Sequence, residues 1–452
     1  MSEGYFYNII FLLIASSTWV LSKNCYSTTK QLIRLYTFFW LFNSLIIAFN
    51  LITYDIVLTF KTFLYQSSFF LMGIFGLWCG SSRDNSNKKA DPLTVRKLNP
   101  RSMGVMVIFS LVFIIDGFIE IKSIYSIIVS DYGALRALLW EQWAEVTAPS
   151  FLDALLAFIN GVAFYTFLTY FSKNNIPPWL YILASIVAII FCLKVLAIGG
   201  RSVIFYIVFT AIYARTLFEY QLNKPKFIKV FKKLFLYTSI LSGGLFFMVI
   251  FPAIRGSGEY TDFDLFLGYR HNSSISDYIK YINSVLPGVS SLAFATDYFS
   301  SPTAKMTNLI VELNTSSYFS GGMYSFSVPA KLISIFTGTN YHHEARLVLE
   351  EQISSQGYLA IRPWTTAAQD FAMDFGLYGA VIVSFLCNYV LAKLYLWGMR
   401  INSAEGYALC SLIALSLVIF AFKSPFNITI LANTLFVGYF ICLLSITKWN
   451  RL

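Results

Sequence analysis

The chain has 452 residues, 57% of them hydrophobic and only 12% charged, where soluble proteins carry about a quarter. That composition excludes an ordinary soluble domain. The formal charge of +10 would point to nucleic acid in a soluble chain. Here the collection of Lys and Arg in cytoplasmic loops during membrane insertion accounts for it, and no nucleic-acid partner is expected.

Runs of about 20 apolar residues, enough to cross a bilayer as helix, recur along the chain. The first, from Tyr5 to Leu21, has no basic leader and no clear small-residue cleavage site, so it reads as a retained span rather than a signal peptide. Further spans are predicted over 35–53, 56–79, 103–126, 151–171, 179–199, 202–219, 234–253, 372–396, 405–422 and 427–446. The expected fold is an all-α polytopic membrane protein of about eleven transmembrane helices. It divides into spans one to eight (1–253), a large loop region (254–371) and spans nine to eleven (372–452).

Alternate connections differ in charge. Segments 22–34, 80–102, 172–178, 220–233, 397–404 and the C-terminal tail hold most of the basic residues, from Lys23, Lys30 and Arg34 to Arg400, Lys448 and Arg451. The positive-inside rule puts these in the cytoplasm, with the N-terminus outside and the C-terminus inside. Two outer segments are long. Residues 127–150 contain "ALRALLWEQWAEV", an amphipathic pattern suited to the membrane interface. Residues 254–371 are rich in aromatics, carry short helical patterns such as "SDYIKYINSVL", and are long enough to be functional. No internal repeat is visible.

Few residues on the outer side carry chemistry. Lys194 and Arg201 stand seven apart around the paired glycines of "IGGRS". Ionisable groups at such depth normally face a cavity or a partner, and snorkelling to the headgroups is the bland alternative. Glycines let backbone approach a ligand closely, and a neighbouring guanidinium forks onto phosphate oxygens. Arg255 in "FPAIRGSG" and Arg362 beside Pro363 and Trp364 repeat the theme. Asp370 and Asp374 are four apart on one helix face near the outer surface, placed either to cap and solvate the first turns or to act as a general base. The histidines are His271, His342 and His343. Neighbours on a helix point about 100° apart, so the adjacent pair is poorly placed to chelate one ion. A base or substrate-contacting role competes with a plain surface position.

The "DFD" of Asp262 and Asp264 is a weak metal signal. The six cysteines, Cys25, Cys79, Cys192, Cys387, Cys410 and Cys442, form neither a disulfide framework nor a metal spacing. No phosphate-binding loop, nucleophile elbow or zinc-protease motif is present. No metal or other cofactor is expected. A many-span bundle with one large outer segment, outer arginines and no nucleotide site points to a lipid-diphosphate substrate.

Three stretches carry a family resemblance: "IGGRS" at 198–202, the long outer segment opening with Arg255, and "GYLAIRPWTTAAQDFAMDFGLYGA" at 357–380. Together with the topology, they resemble the Wzy-type polymerases, which polymerise the oligosaccharide repeat units of O-antigen and related bacterial glycans. Asp370 takes the family's acidic position, often glutamate there, and Asp374-Phe375-Gly376 its Asn/Asp-Phe-Gly element. The resemblance implies a GT-C-type, inverting glycosyltransferase of the bacterial inner membrane. Its substrates would be undecaprenyl-diphosphate-linked oligosaccharides within the membrane lipid, and a chain-length regulator would be a partner. On that basis Arg201, Arg255, Arg362 and Lys194 are assigned to the diphosphate. Asp370, with His342 or His343 as competitors, is assigned to acceptor activation, and Trp364 and Tyr341 to sugar stacking. An O-antigen ligase and a flippase or other transporter are the alternatives.

Overall fold

A computed structural model describes residues 3–25, 27–49, 52–54, 59–82, 99–128, 149–172, 176–198, 202–223, 273–285, 320–341, 343–345, 347–348, 366–421 and 423–446. In chain order the elements are α1 (Glu3–Leu21), α2 (Ser27–Ala48), β1 (Ile52–Tyr54), α3 (Phe60–Ser81), α4 (Pro100–Ile128), α5 (Phe151–Ser172), α6 (Pro178–Ile198), α7 (Ser202–Asn223), β2 (Ser273–Ile275), α8 (Asp277–Val285), α9 (Ser327–Thr337), α10 (Ala367–Ile401), α11 (Ala404–Ile419) and α12 (Thr429–Ile446). Among the described residues, seven helices (α1 to α5, α10 and α12) are long and apolar enough to cross a membrane. Helices occupy ten of the eleven predicted span positions; the eighth, 234–253, lies outside the described residues. So does the amphipathic segment at 127–150 beyond Ile128, apart from residues 149–150. The pattern "SDYIKYINSVL" forms α8.

Two sequence-based boundaries need correction. The second span begins at Ser27, so Lys30 and Arg34 lie within its first turns rather than in a loop. Arg34 is held there by Ser22, whose Oγ accepts from Nε at 3.2 Å, and by the Trp19 ring at 5.2 Å. The same span ends at Ala48, and Ile52–Tyr54 form a strand. That strand pairs antiparallel with β2, Ile52 opposite Ile275 and Tyr54 opposite Ser273. Among the described residues the fold is therefore helical apart from one three-residue ladder.

The helix ends fall on two faces. On the near face, where α1 begins, Asn8 Nδ2 donates to Ser44 O at 3.0 Å, Tyr65 to Ala368 O at 2.6 Å and Asn43 Nδ2 to Ala421 O at 3.3 Å. The β1–β2 ladder and the bond from Tyr278 to Phe49 O bring β2 and α8 to that face. On the far face Asn99 Nδ2 donates to Leu444 O at 3.1 Å, and the Gln31, Tyr213 and Tyr395 side chains form a chain of contacts at 2.6 and 3.0 Å.

Helix α11 is the hub: every residue from Ala404 to Ile419 is buried. A helix apolar all round is one enclosed by protein. It packs on α2, α5, α7, α10 and α12. Backbones come close where side chains are absent. On α3, a Cβ on Gly76 would meet the Phe385 carbonyl, and one on Gly80 would lie 2.7 Å from Ala392 Cβ. Spacing small residues three and four apart is how membrane helices pack closely. Buried hydroxyls such as Thr37, Thr166, Thr210 and Ser416 donate to carbonyls four residues back, which satisfies them without water. Large apolar side chains of α4, including Ile108, Ile115, Phe118 and Ile119, remain outward and exposed, as a lipid-facing surface requires.

Candidate functional site

The near-face connections converge on the start of α10. Thr366 caps the helix and Gln369 reaches back to its backbone N–H at 2.8 Å, closing a capping box. Residues 367–374 are all buried. At Gly376 the backbone breaks, with φ 70° and ψ 174°, a conformation open essentially to glycine alone. The element therefore comprises a short buried helix, a kink, and then the span proper. "DFG" carries a conformational requirement as well as a resemblance.

Asp374 organises this region. Its carboxylate accepts from Ser320 Oγ, from Tyr324 N at 3.1 Å and from Ser325 N at 2.6 Å, and its carbonyl accepts from Gly321 N at 3.2 Å. A carboxylate has about four lone-pair sites and no donor, so it suits a turn presenting several N–H groups. The turn runs through Gly321 and Gly322 at positive φ, and Phe375 packs so close to Gly322 that a Cβ there would lie 3.2 Å from its ring. Asp370, one turn earlier and without exposed surface, accepts from Ser424 N at 2.8 Å. Ser424 Oγ donates in turn to Ser325 O at 3.2 Å. The two aspartates thus join three separate segments: 320–327, the start of α10, and the connection from α11 to α12.

Aromatic rings close the floor. Phe326 stacks on Phe371 at 5.7 Å and on Phe426 at 5.3 Å, and Phe420 meets Phe371 edge-on at 6.1 Å. Such pairs add about 0.5–1.5 kcal/mol each beyond the area they bury. Helix α9 is hung from the same connection. Both Ser327 N and Ser327 Oγ donate to Phe426 O, at 3.1 and 2.9 Å, and Lys331 Nζ reaches Thr429 Oγ1 at 3.4 Å. Burial holds the Lys331 ammonium below the usual lysine range, and Asp153 at the start of α5 partly offsets this.

Of the residues singled out from sequence, Tyr341 and His343 follow α9. Tyr341 N donates to Ser334 Oγ at 3.2 Å and His343 N to Asn340 Oδ1 at 3.3 Å. The His343 Nε2 is buried with no hydrogen-bond partner among the described residues. Lys194 lies on α6, facing α4. It pairs with Asp116 at 3.0 Å and with Glu120, four residues on, and lies 5.3 Å from the Phe113 ring centroid. Two carboxylates therefore meet its charge within the bundle, instead of the headgroup region. Arg201, Arg255, Arg362, Trp364 and His342 lie outside the described residues, as do Asp262 and Asp264.

Sequence reasoning missed Ser320, Ser325 and Ser424, whose roles depend on distant segments meeting. It also missed Asp116 and Glu120 as the partners of Lys194. An available signal was two acids at i and i+4 in one span with a lysine in another. Among the described residues no group of three or more His, Cys, Asp or Glu side chains could hold a metal ion. Compared with protein-family models, curated proteins and solved structures, the chain finds no match in any of the three.

Proposed function

We propose that this chain is a polymerase that joins undecaprenyl-diphosphate-linked oligosaccharide repeat units, of O-antigen or a related polysaccharide. It would act on the periplasmic face of the bacterial inner membrane. In this reading the near face is periplasmic, the chain has eleven spans in a GT-C-like arrangement, and the C-terminus is cytoplasmic. The predicted eighth span carries the chain back from the far face, where α7 ends, to the near face, where β2 begins.

One observation carries the reading. The stretch at 357–380 that resembles the polymerases contains the start of α10, where the near-face segments converge on Asp370 and Asp374. The chemistry follows from the residue types. The bond between the anomeric carbon and the diphosphate oxygen of the donor breaks, and the diphosphate leaves with the electron pair. Arg201, Arg255 and Arg362 meet that developing charge. The acceptor hydroxyl attacks the opposite face of the anomeric carbon, giving inversion, and its proton passes to Asp370, with His342 or His343 as the competing base. Trp364 and Tyr341 stack on sugar faces. The paired state of Lys194 makes it the weakest of the assigned cations.

The test is purified protein with lipid-linked repeat units, without nucleotide and with chelator present. Chain growth is expected; a requirement for a nucleotide sugar or a divalent metal overturns the mechanism. The Lys194, Asp116 and Glu120 cluster, charged and within the bundle, favours a second reading as a lipid-linked oligosaccharide transporter. That reading expects substrate translocation without chain growth. In cells, loss of a polymerase leaves single-unit caps on lipopolysaccharide, whereas loss of a ligase leaves bare core.

A further inference from the structure

Far from that site, at the opposite face, Glu405 sits in the first turn of α11 with no exposed surface. Its backbone is held on two sides. Ser403 Oγ caps the helix by accepting Gly406 N at 3.3 Å, and the Tyr165 hydroxyl donates to the Glu405 carbonyl at 2.5 Å. The side chain is aimed between α4 and α12, with Oε1 3.1 Å from Ser102 Oγ and 3.4 Å from Ser445 Oγ.

The hydrogens around this carboxylate do not suffice. A serine hydroxyl has one hydrogen and two lone pairs. Ser102 Oγ has a closer acceptor in Asn99 O at 2.9 Å, and Ser445 Oγ in Ile441 O at 2.9 Å. Each hydroxyl therefore has a single hydrogen to share between Oε1 and its own carbonyl. Oε2 is buried with no hydrogen-bond partner among the described residues. None of the ion pairs among the described residues involves Glu405. A buried carboxylate without compensation is strongly disfavoured, and the feature that would compensate it is a small positive charge.

We propose that Glu405, Ser102 and Ser445 form a binding site for a monovalent metal cation that ties α4, α11 and α12 together at the far face. All the donors are hard oxygens, which suit alkali and alkaline-earth ions over soft metals. One carboxylate balances one charge, and a divalent ion would leave an unbalanced buried charge. Access is short: Ser445 is half-buried, and Arg101, beside Ser102, is exposed. The site stands independently of the proposed glycosyl transfer.

The test is the thermal unfolding midpoint of the detergent-purified full chain, with chelator present. NaCl or KCl is exchanged for choline chloride at constant ionic strength. The wild-type midpoint is expected to rise saturably by a few degrees with Na⁺ or K⁺, as for any ligand that binds only the folded state. Glu405→Gln is expected to lose that response while unfolding no lower than wild type in choline. A wild-type midpoint indifferent to the exchange overturns the proposal, as does a Glu405→Gln protein that keeps the response. A midpoint that follows pH but neither metal assigns the pocket to a proton and overturns it too. If Glu405→Gln does not fold, Ser445→Ala decides. Its half-saturating cation concentration is expected to rise about tenfold, and an unchanged value overturns the site.

Discussion

The Asp374 carboxylate on α10 accepts the backbone N–H of Ser325 at 2.6 Å, across 49 residues of chain. Asp370, four residues before it, accepts the backbone N–H of Ser424 at 2.8 Å through Oδ2. The two carboxylates therefore differ in what an amide would do to them. Asp374→Asn places an NH2 group where N–H and O–H donors already point, and is expected to destabilise the protein by about 2–4 kcal/mol. Asp370→Asn keeps an oxygen for Ser424. It is expected to fold with a near wild-type unfolding midpoint and to slow chain growth by about 10²–10⁴-fold, the usual contribution of a general base. Midpoints and turnover measured on the same preparations check both. An active Asp370→Asn protein removes Asp370 from acceptor activation.

Two glycine substitutions should have opposite signs. Gly76→Ala drives a methyl into the Phe385 backbone carbonyl, where no side chain can yield, so α3 is pushed off α10. A clear loss of folded yield is expected, of the order of 1–3 kcal/mol for overpacking. At Gly104 on α4 an added Cβ meets nothing within 4 Å. Gly104→Ala is expected to be neutral or to stabilise by up to about 1 kcal/mol through helix propensity. Detergent-extractable yield and thermal midpoint report both.

Lys194→Met leaves Asp116 and Glu120 without their shared cation. Both carboxylates are about a third exposed, so the expected loss is smaller than for a fully buried pair. The triple variant Lys194→Met, Asp116→Asn, Glu120→Gln is expected to recover most of it. If Lys194 also serves the diphosphate, the triple variant regains stability but not chain growth, and that split is what the assay should seek.

Lys331 carries a pH signature. Its folded-state value lies below the ordinary lysine value of about 10.4. Between the two values the unfolded chain binds more protons than the folded one, so stability rises with pH in that window. Below it the penalty of burying the charged amine is fully present. The thermal midpoint of wild type is therefore expected to climb relative to Lys331→Met as pH increases toward 10. Parallel curves for the two proteins contradict the assignment.

What the sequence alone determined is the part governed by local composition. Helices stand at ten of the predicted span positions, because about 20 contiguous apolar residues have few alternatives in lipid. The segment at 357–380 also stood out in the sequence, by its resemblance to a family pattern, but the break at Gly376 inside it did not. Tertiary structure alone decided who meets whom. Ser424 meets Asp370 and Ser325 meets Asp374 across 54 and 49 residues. Lys194 finds Asp116 78 residues earlier, and Glu405 meets Ser102 across 303. A serine or a carboxylate has the same local signature whether it faces solvent, caps a helix or joins two elements. Those outcomes depend on how the helices pack, and here packing follows from residues with little side chain of their own, such as Gly76 and Gly80 on α3, whose role appears only when another backbone lies against them.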